Sequence, residues 1–226
     1  APPESAEKFN PSSERTDAAS PQKADSKSER VILDVPVVTQ KPGLYNGCEV
    51  SSLDMLLRYK GIDTDKMTLA KQIKKDAAPI VRNSSGKIVS WGDPEKGFVG
   101  DITGKKIGYG VYDKPLLALL ETYMPGRGAN LTGEDIDDLF ESVKNGNPVV
   151  VWVTCNFNEP SDFVTWKSGE KKIKATFSEH AVLLVGYDEE RCYVNNPLSG
   201  EKKEKVDRSA FEKVWKSMGS MAITCS

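Results

Sequence analysis

The stretch Asn46-Gly-Cys-Glu-Val-Ser-Ser-Leu-Asp-Met-Leu-Leu-Arg-Tyr-Lys-Gly61 decides how this chain is interpreted. After Cys48, apolar residues recur with a helical period at Val50, Leu53 and Leu57, and the glycine that closes the stretch ends the pattern. The sequence therefore predicts a largely buried helix that begins at Cys48. A cysteine at this position lies at the positive end of a helix dipole, which lowers the pKa of its thiol and favours the thiolate.

Three further helices are predicted before residue 147. A Thr/Asp cap introduces a helix over residues 64–75, and Pro115 suits the first turn of a helix that covers 116–120. Thr132 is expected to cap a helix over 136–143. The first half of the domain is therefore predicted to be mainly helical.

The second half is predicted to be mainly strands. The β-branched run 148–155, the run 180–186 and the hairpin arm 191–195 are typical of buried strands. A late helix around residues 211–218 and a last strand, 221–225, complete the pattern, and an entry strand is expected at 31–38. Helices followed by antiparallel strands indicate an α+β fold with a helical half packed on an antiparallel sheet.

Between the two halves, residues 77–113 are expected to be irregular. The stretch is too long for a plain connection, and its aromatic residues argue against disorder. Two interpretations stay open for it, a wall of a substrate cleft or simple loop packing.

Composition excludes several classes of function. The net charge is −2 and the apolar fraction is 38%, so no basic surface indicates a nucleic-acid partner. No apolar run approaches the roughly 20 residues that cross a bilayer, and no glycine-rich phosphate-binding motif occurs. Four cysteines without CxxC spacing and one histidine predict neither a metal site nor a cofactor. We expect a monomer.

Residues 1–30 differ in composition from residues 31–226, which are interpreted as one domain. The first segment is rich in Ser, Ala, Pro, Lys and Glu and has Phe9 as its only large apolar residue, so it is predicted to be a disordered leader or tether. No secretory signal is recognisable, so the chain is either cytosolic or has lost a signal. Because such a spacer suits a domain that stands off a surface, we expect a secreted or cell-surface location and a possible upstream anchor.

Four residue types in one order indicate nucleophilic catalysis. Cys48 would be the nucleophile, and His180, at the start of a buried strand, would take its proton. Asn196 follows the hairpin partner of that strand and would orient the imidazole. Gln40 could donate, with the Cys48 amide, into an oxyanion hole. Each residue alone has a commoner structural role, but the order Gln, Cys, His, Asn is far less easily matched by chance.

These segments resemble a known family. The stretch from Gln40 through Asn-Gly-Cys-Glu-Val-Ser-Ser-Leu and the stretch His180-Ala-Val-Leu-Leu-Val-Gly-Tyr-Asp with Asn-Asn-Pro197 are similar to the bacteriocin-leader-processing (double-glycine) cysteine peptidases and their stand-alone bacterial relatives. The resemblance implies a papain-like fold, with Cys48 as nucleophile, His180 as general base, Asn196 as orienting residue and Gln40 in the oxyanion hole.

The implied function is a thiol-dependent hydrolase that cleaves an amide bond of a peptide or peptidoglycan cross-bridge at the cell surface. Two departures bear on activity: Glu49 replaces a usual glycine, and Asn196 replaces the commoner Asp. Two alternatives stay open: a transglutaminase-like enzyme that transfers amides, and an inactive papain-like binding module. A Cys192–Cys225 disulfide and a fully reduced set of cysteines are both compatible with the sequence.

Overall fold

The computed structural model describes residues 29–226. The tether predicted over residues 1–30 therefore lies outside the described residues, apart from its last two. Within the described part no helix is both long enough and apolar enough to span a membrane. The helices are α1 (Cys48–Tyr59), α2 (Lys66–Gln72), α3 (Asp113–Tyr123), α4 (Ile136–Lys144) and α5 (Arg208–Ser217).

The strands of residues 29–226 form three sheets. Their bounds are β1 (Val31–Ile32), β2 (Lys75–Asp76), β3 (Val81–Arg82), β4 (Ile88–Ser90), β5 (Phe98–Gly100), β6 (Gly108–Gly110), β7 (Gly128–Asn130), β8 (Val149–Thr154), β9 (Phe163–Ser168), β10 (Lys171–Thr176), β11 (Glu179–Tyr187), β12 (Arg191–Asn195), β13 (Glu204–Asp207) and β14 (Ala222–Cys225).

The main sheet is antiparallel and carries the core on both faces. Its strand order is β13-β12-β11-β8-β14-β7, and β1 pairs with β11. Because side chains alternate along a strand, Ala181 and Leu183 of β11 pack in the cluster that contains α1, whereas Val182 and Leu184 pack in the cluster that contains α4 and α5. The predicted α+β architecture of helices on an antiparallel sheet is confirmed.

Helix α1 begins at Cys48, as the sequence predicts. Ten consecutive residues from Cys48 to Leu57 are buried, because the helix packs against β11 and runs through the centre of the domain. The glycine before it has a packing role: a Cβ on Gly47 would lie 2.6 Å from Leu44 Cβ. Any larger residue there would push the preceding loop away from the helix start.

The predicted cap of α4 was wrong. Asp135, not Thr132, is the N-cap, and the Asp135 backbone N–H donates to the Asp138 carboxylate at 3.0 Å in a capping box. Thr132 lies three residues upstream, where its hydroxyl donates to Asp113 Oδ2 at 2.9 Å. A polar residue near an apolar run caps a helix only if the helix begins directly after it. The Thr132 side chain is engaged by Asp113, and the helix begins after Asp135, three residues further along the chain.

The stretch 77–113 is more regular than predicted. It contributes β3 to β6 to two small sheets, and the hairpin of β9 and β10, which the sequence did not predict, joins one of them. Trp91, Tyr109 and Trp166 form a third apolar cluster there, with the Tyr109 and Trp166 ring centroids 5.3 Å apart. The aromatic residues that argued against disorder are the core of this subdomain.

All four cysteines are free thiols. Cys192 and Cys225 belong to the two clusters on opposite faces of the main sheet, and Cys225 Sγ lies 3.6 Å from Met124 Sδ. Of the two redox states that the sequence left open, the structure has the reduced set.

Candidate active site

The structure brings His180 and Asn196 together. Strands β11 and β12 pair in antiparallel register, with Leu183 opposite Asn195, so the residue after Asn195 lies diagonally across from His180. His180 Nε2 is 2.9 Å from Asn196 Oδ1, and both side chains are buried. The adjacent Asn195 has a structural role, because its amide donates to Val35 O at 3.0 Å.

Cys48 lies at the junction of α1 and β11. The Ser52 hydroxyl, one turn further along α1, donates to Ala181 O at 3.2 Å and fixes the helix against the strand that carries His180. The Cys48 thiol donates to Glu49 Oε2 at 3.4 Å, and its hydrogen bonds with side chains of the described residues do not include His180. The structure therefore places Cys48 and His180 on packed elements, with the thiol directed at a carboxyl group.

The electrostatics of Cys48 overturn one expectation. Burial, together with the negative charges of Glu49 and Glu179, raises the Cys48 thiol pKa well above its ordinary value, although the Ala181 backbone N–H acts in the opposite direction. The helix dipole was expected to lower this pKa. The effect of burial and of the two carboxyls is larger than that of the helix dipole, because the free-energy penalty of a desolvated thiolate beside two carboxyls exceeds the stabilisation from one helix terminus.

Glu49 and Glu179 form a buried carboxyl pair that sequence reasoning missed. Glu49 Oε1 accepts the Val111 N–H at 2.7 Å, while Glu179 Oε1 is buried without a hydrogen-bond partner. Desolvation raises the pKa of Glu49 to about 7 and that of Glu179 well above its ordinary value, the latter also through the charge of Glu49. A signal was present, since a glutamate directly follows Cys48 and another directly precedes the histidine of a buried strand.

Gly110 makes room for this pair. A Cβ at Gly110 would lie 2.4 Å from Glu49 Oε1 and 3.1 Å from Glu179 Oε2. The backbone of β6 therefore closes over the two carboxyls and keeps water from them, which is the physical cause of their raised pKa values.

His180 is held neutral. Burial lowers its pKa from 6.5 to about 4, and the hydrogen bond to Asn196 opposes this shift only in part. A neutral imidazole whose Nε2–H donates to Asn196 has a free lone pair on Nδ1. At neutral pH the ring is therefore unprotonated, and Nδ1 is the atom that can accept a hydrogen bond or a proton.

Gln40 is buried in the loop that leads to Cys48. Its Nε2 donates to Tyr45 O at 2.7 Å, and its Oε1 is buried without a partner. The backbone N–H of Gln40 donates to Pro197 O at 2.8 Å, which joins this loop to the one that carries Asn196. One amide hydrogen of Gln40 is thus used within the loop, and the second is available to another acceptor.

A groove of about 370 Å³ opens beside the loop that leads to Cys48. Tyr45, Ile107 and Phe177 line it and are unusually exposed for apolar side chains, at 58%, 39% and 45%. Tyr45 precedes Cys48 by three residues, and Phe177 precedes His180 by three. The groove can therefore take an apolar group beside the loop that leads to Cys48. A second groove of about 370 Å³, lined among others by Tyr109, Phe163 and Lys174, shares no lining residue with the first.

Within residues 29–226, Cys48, Glu49 and Glu179 are the cluster whose donor atoms could hold a metal ion, since these atoms lie within 4.8 Å of one another. The positive end of α1 disfavours a cation at this position, and the raised pKa values of Glu49 and Glu179 disfavour the ionised carboxylates that a metal ion would need. We assign no metal to the cluster.

The fold described above is that of a known protein family. A model of the Peptidase_C39 like family matches residues 32–223, and the chain belongs to that family, with the papain-like fold that the sequence predicted. The chain is 42% identical over 210 residues to the uncharacterized protein YvpB of Bacillus subtilis (strain 168), covering 92% of this chain and 81% of YvpB. A crystal structure from Bacillus anthracis, named as a C39-like peptidase, superposes with a TM-score of 0.79 at 44% identity, covering 88% of this chain and 98% of the other.

Proposed function

We propose that this protein is a cysteine peptidase that hydrolyses an amide bond of a peptide or of a peptidoglycan cross-bridge. The observation that carries the proposal is the 2.9 Å contact between His180 Nε2 and Asn196 Oδ1 on the strand against which the helix of Cys48 packs. The apolar groove beside the loop that leads to Cys48 supports a peptide substrate, and the composition of residues 1–30 supports a location at the cell surface.

In this mechanism the resting pair is a neutral thiol and a neutral imidazole. His180 Nδ1 takes the proton as Cys48 Sγ attacks the carbonyl carbon, and Asn196 stabilises the imidazolium that forms. The Cys48 amide and the free amide hydrogen of Gln40 stabilise the oxyanion. The imidazolium protonates the departing amine, and water then hydrolyses the thioester to release the acid and restore the thiol.

The test uses a peptide library and muropeptides digested in parallel with the wild type, Cys48→Ala and Cys155→Ala. Cys155 is the matched control, because it is the exposed thiol of the chain. We expect cleavage by the wild type and Cys155→Ala and none by Cys48→Ala, with circular dichroism unchanged in all three. Turnover that survives in Cys48→Ala would refute the assignment.

A second candidate is a papain-like binding module without catalysis. The Glu49 and Glu179 carboxyls favour it, since they oppose formation of the thiolate at Cys48. This candidate predicts no cleavage by the wild type and saturable binding of a peptide that Cys48→Ala retains with the same Kd.

A further inference from the structure

The Asn196 side chain has a third partner that fixes its orientation. Asn196 Nδ2 donates to Glu204 Oε2 at 2.8 Å, while Asn196 Oδ1 accepts the Leu198 N–H at 3.0 Å. Glu204 begins β13 and lies opposite Val194 of β12, so the sheet itself sets its place.

These contacts allow one orientation of the amide. If the Asn196 side chain were rotated by half a turn, its oxygen would face the Glu204 carboxylate and its NH₂ group would face the Leu198 N–H. Two acceptors would then face each other at Glu204, and two donors would face each other at Leu198. Neither pair can form a hydrogen bond, so the free-energy penalty is far larger than for one mispaired group. The oxygen must therefore face His180.

This orientation determines which ring nitrogen of His180 carries the proton. Because Asn196 Oδ1 has no hydrogen to give, the neutral ring must donate from Nε2, and Nδ1 is left as the base. The Glu204 carboxylate also polarises the amide through the Nδ2 hydrogen bond and increases the negative charge on Oδ1.

We propose that Glu204 is a positioning residue of the active site, which fixes Asn196 and supplies through its amide the negative charge that an aspartate would supply directly. The inference rests on the proposed function, and it names a residue for which the motif around Asn196 gives no signal. It also gives a physical reason why asparagine suffices at position 196.

The first measurement is the tautomer of His180 in ¹⁵N-labelled protein. His180 is the only histidine of the chain, so both ring nitrogen signals in a long-range ¹H–¹⁵N spectrum belong to it. We expect the proton on Nε2 in the wild type. In Glu204→Met, which keeps the size of the side chain but loses the acceptor, we expect the proton to be shared between the two nitrogens.

The second measurement is the alkylation rate of Cys48, read by peptide mass spectrometry. We expect Glu204→Met to be slower by roughly tenfold, the usual effect of losing a charge-assisted hydrogen bond. Glu204→Gln keeps an acceptor without charge, so it should retain the wild-type tautomer but react more slowly. Glu201→Gln, an exposed change in the same loop, is the control and should match the wild type.

Rescue separates a positioning role from a structural one. Asn196→Asp alone places two carboxylates in contact and should react more slowly than the wild type. The double variant Asn196→Asp/Glu204→Gln again has one carboxylate and one amide, with the carboxylate now at position 196 and the amide at position 204. It should therefore return to the wild-type rate and tautomer. A Glu204→Met protein with the wild-type tautomer and rate, or a double variant no better than Asn196→Asp, would overturn the proposal.

The two proposals fail in distinguishable ways. Should the wild-type Cys48 be inert, the proposed function fails, and the ring nitrogen signals still decide the role of Glu204. Should Glu204→Met not fold, the conservative Glu204→Gln and the double variant decide it.

Discussion

At Cys48, two electrostatic effects of opposite sign act on one sulfur atom. The N-terminus of α1 favours the thiolate, and burial beside Glu49 and Glu179 opposes it more strongly. The thiol is therefore neutral at rest, and in the proposed mechanism its proton leaves during the attack on the carbonyl. In that mechanism His180 takes the proton: its lowered pKa keeps the ring unprotonated at neutral pH and makes it a weaker base than an ordinary imidazole.

Replacing Glu49 tests this balance directly. In Glu49→Gln the negative charge next to Cys48 Sγ is absent, so the thiol pKa should fall and alkylation of Cys48 near pH 8 should accelerate by about tenfold, since a neighbouring like charge shifts a pKa by roughly one unit or more. The rate is measured by mass spectrometry in a Cys155→Ser background, which removes the exposed thiol. Glu201→Gln should leave the rate unchanged, and equal rates in Glu49→Gln and the wild type would contradict the prediction.

The carboxyl pair also makes stability depend on pH. Because the Glu49 pKa is raised from 4.5 to about 7 on folding, the folded protein keeps a proton that the unfolded chain releases. This contribution is complete below pH 4.5 and is lost as the pH rises through 7. The unfolding free energy of Glu49→Gln minus that of the wild type should therefore increase between pH 5 and pH 8, by roughly 3 kcal/mol at most.

Urea unfolding at several pH values measures this difference. His180 has the opposite dependence, since its lowered pKa makes stability fall as the pH drops from 6.5 towards 4, but it titrates in both proteins and cancels in the subtraction. Loss of the Glu49 charge also eases the ionisation of Glu179, which acts in the same direction. If the difference in unfolding free energy between Glu49→Gln and the wild type stayed constant or decreased with pH, the raised pKa of Glu49 would be disproved.

At the scale of elements, most of the correctly predicted helices and strands were found from the period of their apolar residues. Helix α1 and strands β8, β11, β12 and β14 follow long apolar patterns, and these patterns survive because the elements are buried in the main sheet and its covering layers. The short strands and the β9–β10 hairpin have mixed polar patterns with partly exposed faces. Their pairing is set by the aromatic cluster they surround, which a local pattern does not contain.

The cap of α4 can be tested by a matched pair of variants. Asp135→Ala removes the acceptor for the first turn and should lower the free energy of unfolding by about 1 kcal/mol. Asp135→Asn keeps an acceptor and should stay close to the wild type. Thermal or urea unfolding decides between them, and an Asn variant as unstable as the Ala variant would show that the charge, not the cap, matters.

At the scale of the whole molecule, the groove proposed to take the substrate is assembled from distant parts of the chain. Tyr45, Ile107 and Phe177 come from three loops that the fold brings together, and Tyr45 belongs to the loop that leads to Cys48. Their exposure would be costly for a surface without a partner, and such apolar patches commonly mark binding sites.

Phe177→Ala should weaken substrate binding without unfolding the protein, since the side chain is 45% exposed. With the best substrate from the library, we expect KM to rise by about tenfold and kcat to change little, because the lost contact is made equally in the ground and transition states. Phe163→Ala is the control, as Phe163 is also exposed but lines the second groove. The reverse pattern would assign the substrate to that second groove.

The sequence by itself determined the α+β class, the helix that begins at Cys48 and the strand that begins next to His180, because hydrophobic period and helix-starting residues act over short distances. It also predicted Asn196, since an antiparallel hairpin returns the chain at a fixed register. Only the tertiary structure placed Glu179 beside Glu49, Glu204 beside Asn196 and Phe177 beside Tyr45. Electrostatic and apolar contacts of this kind depend on the distances between elements, and those distances are set by the packing of the whole chain.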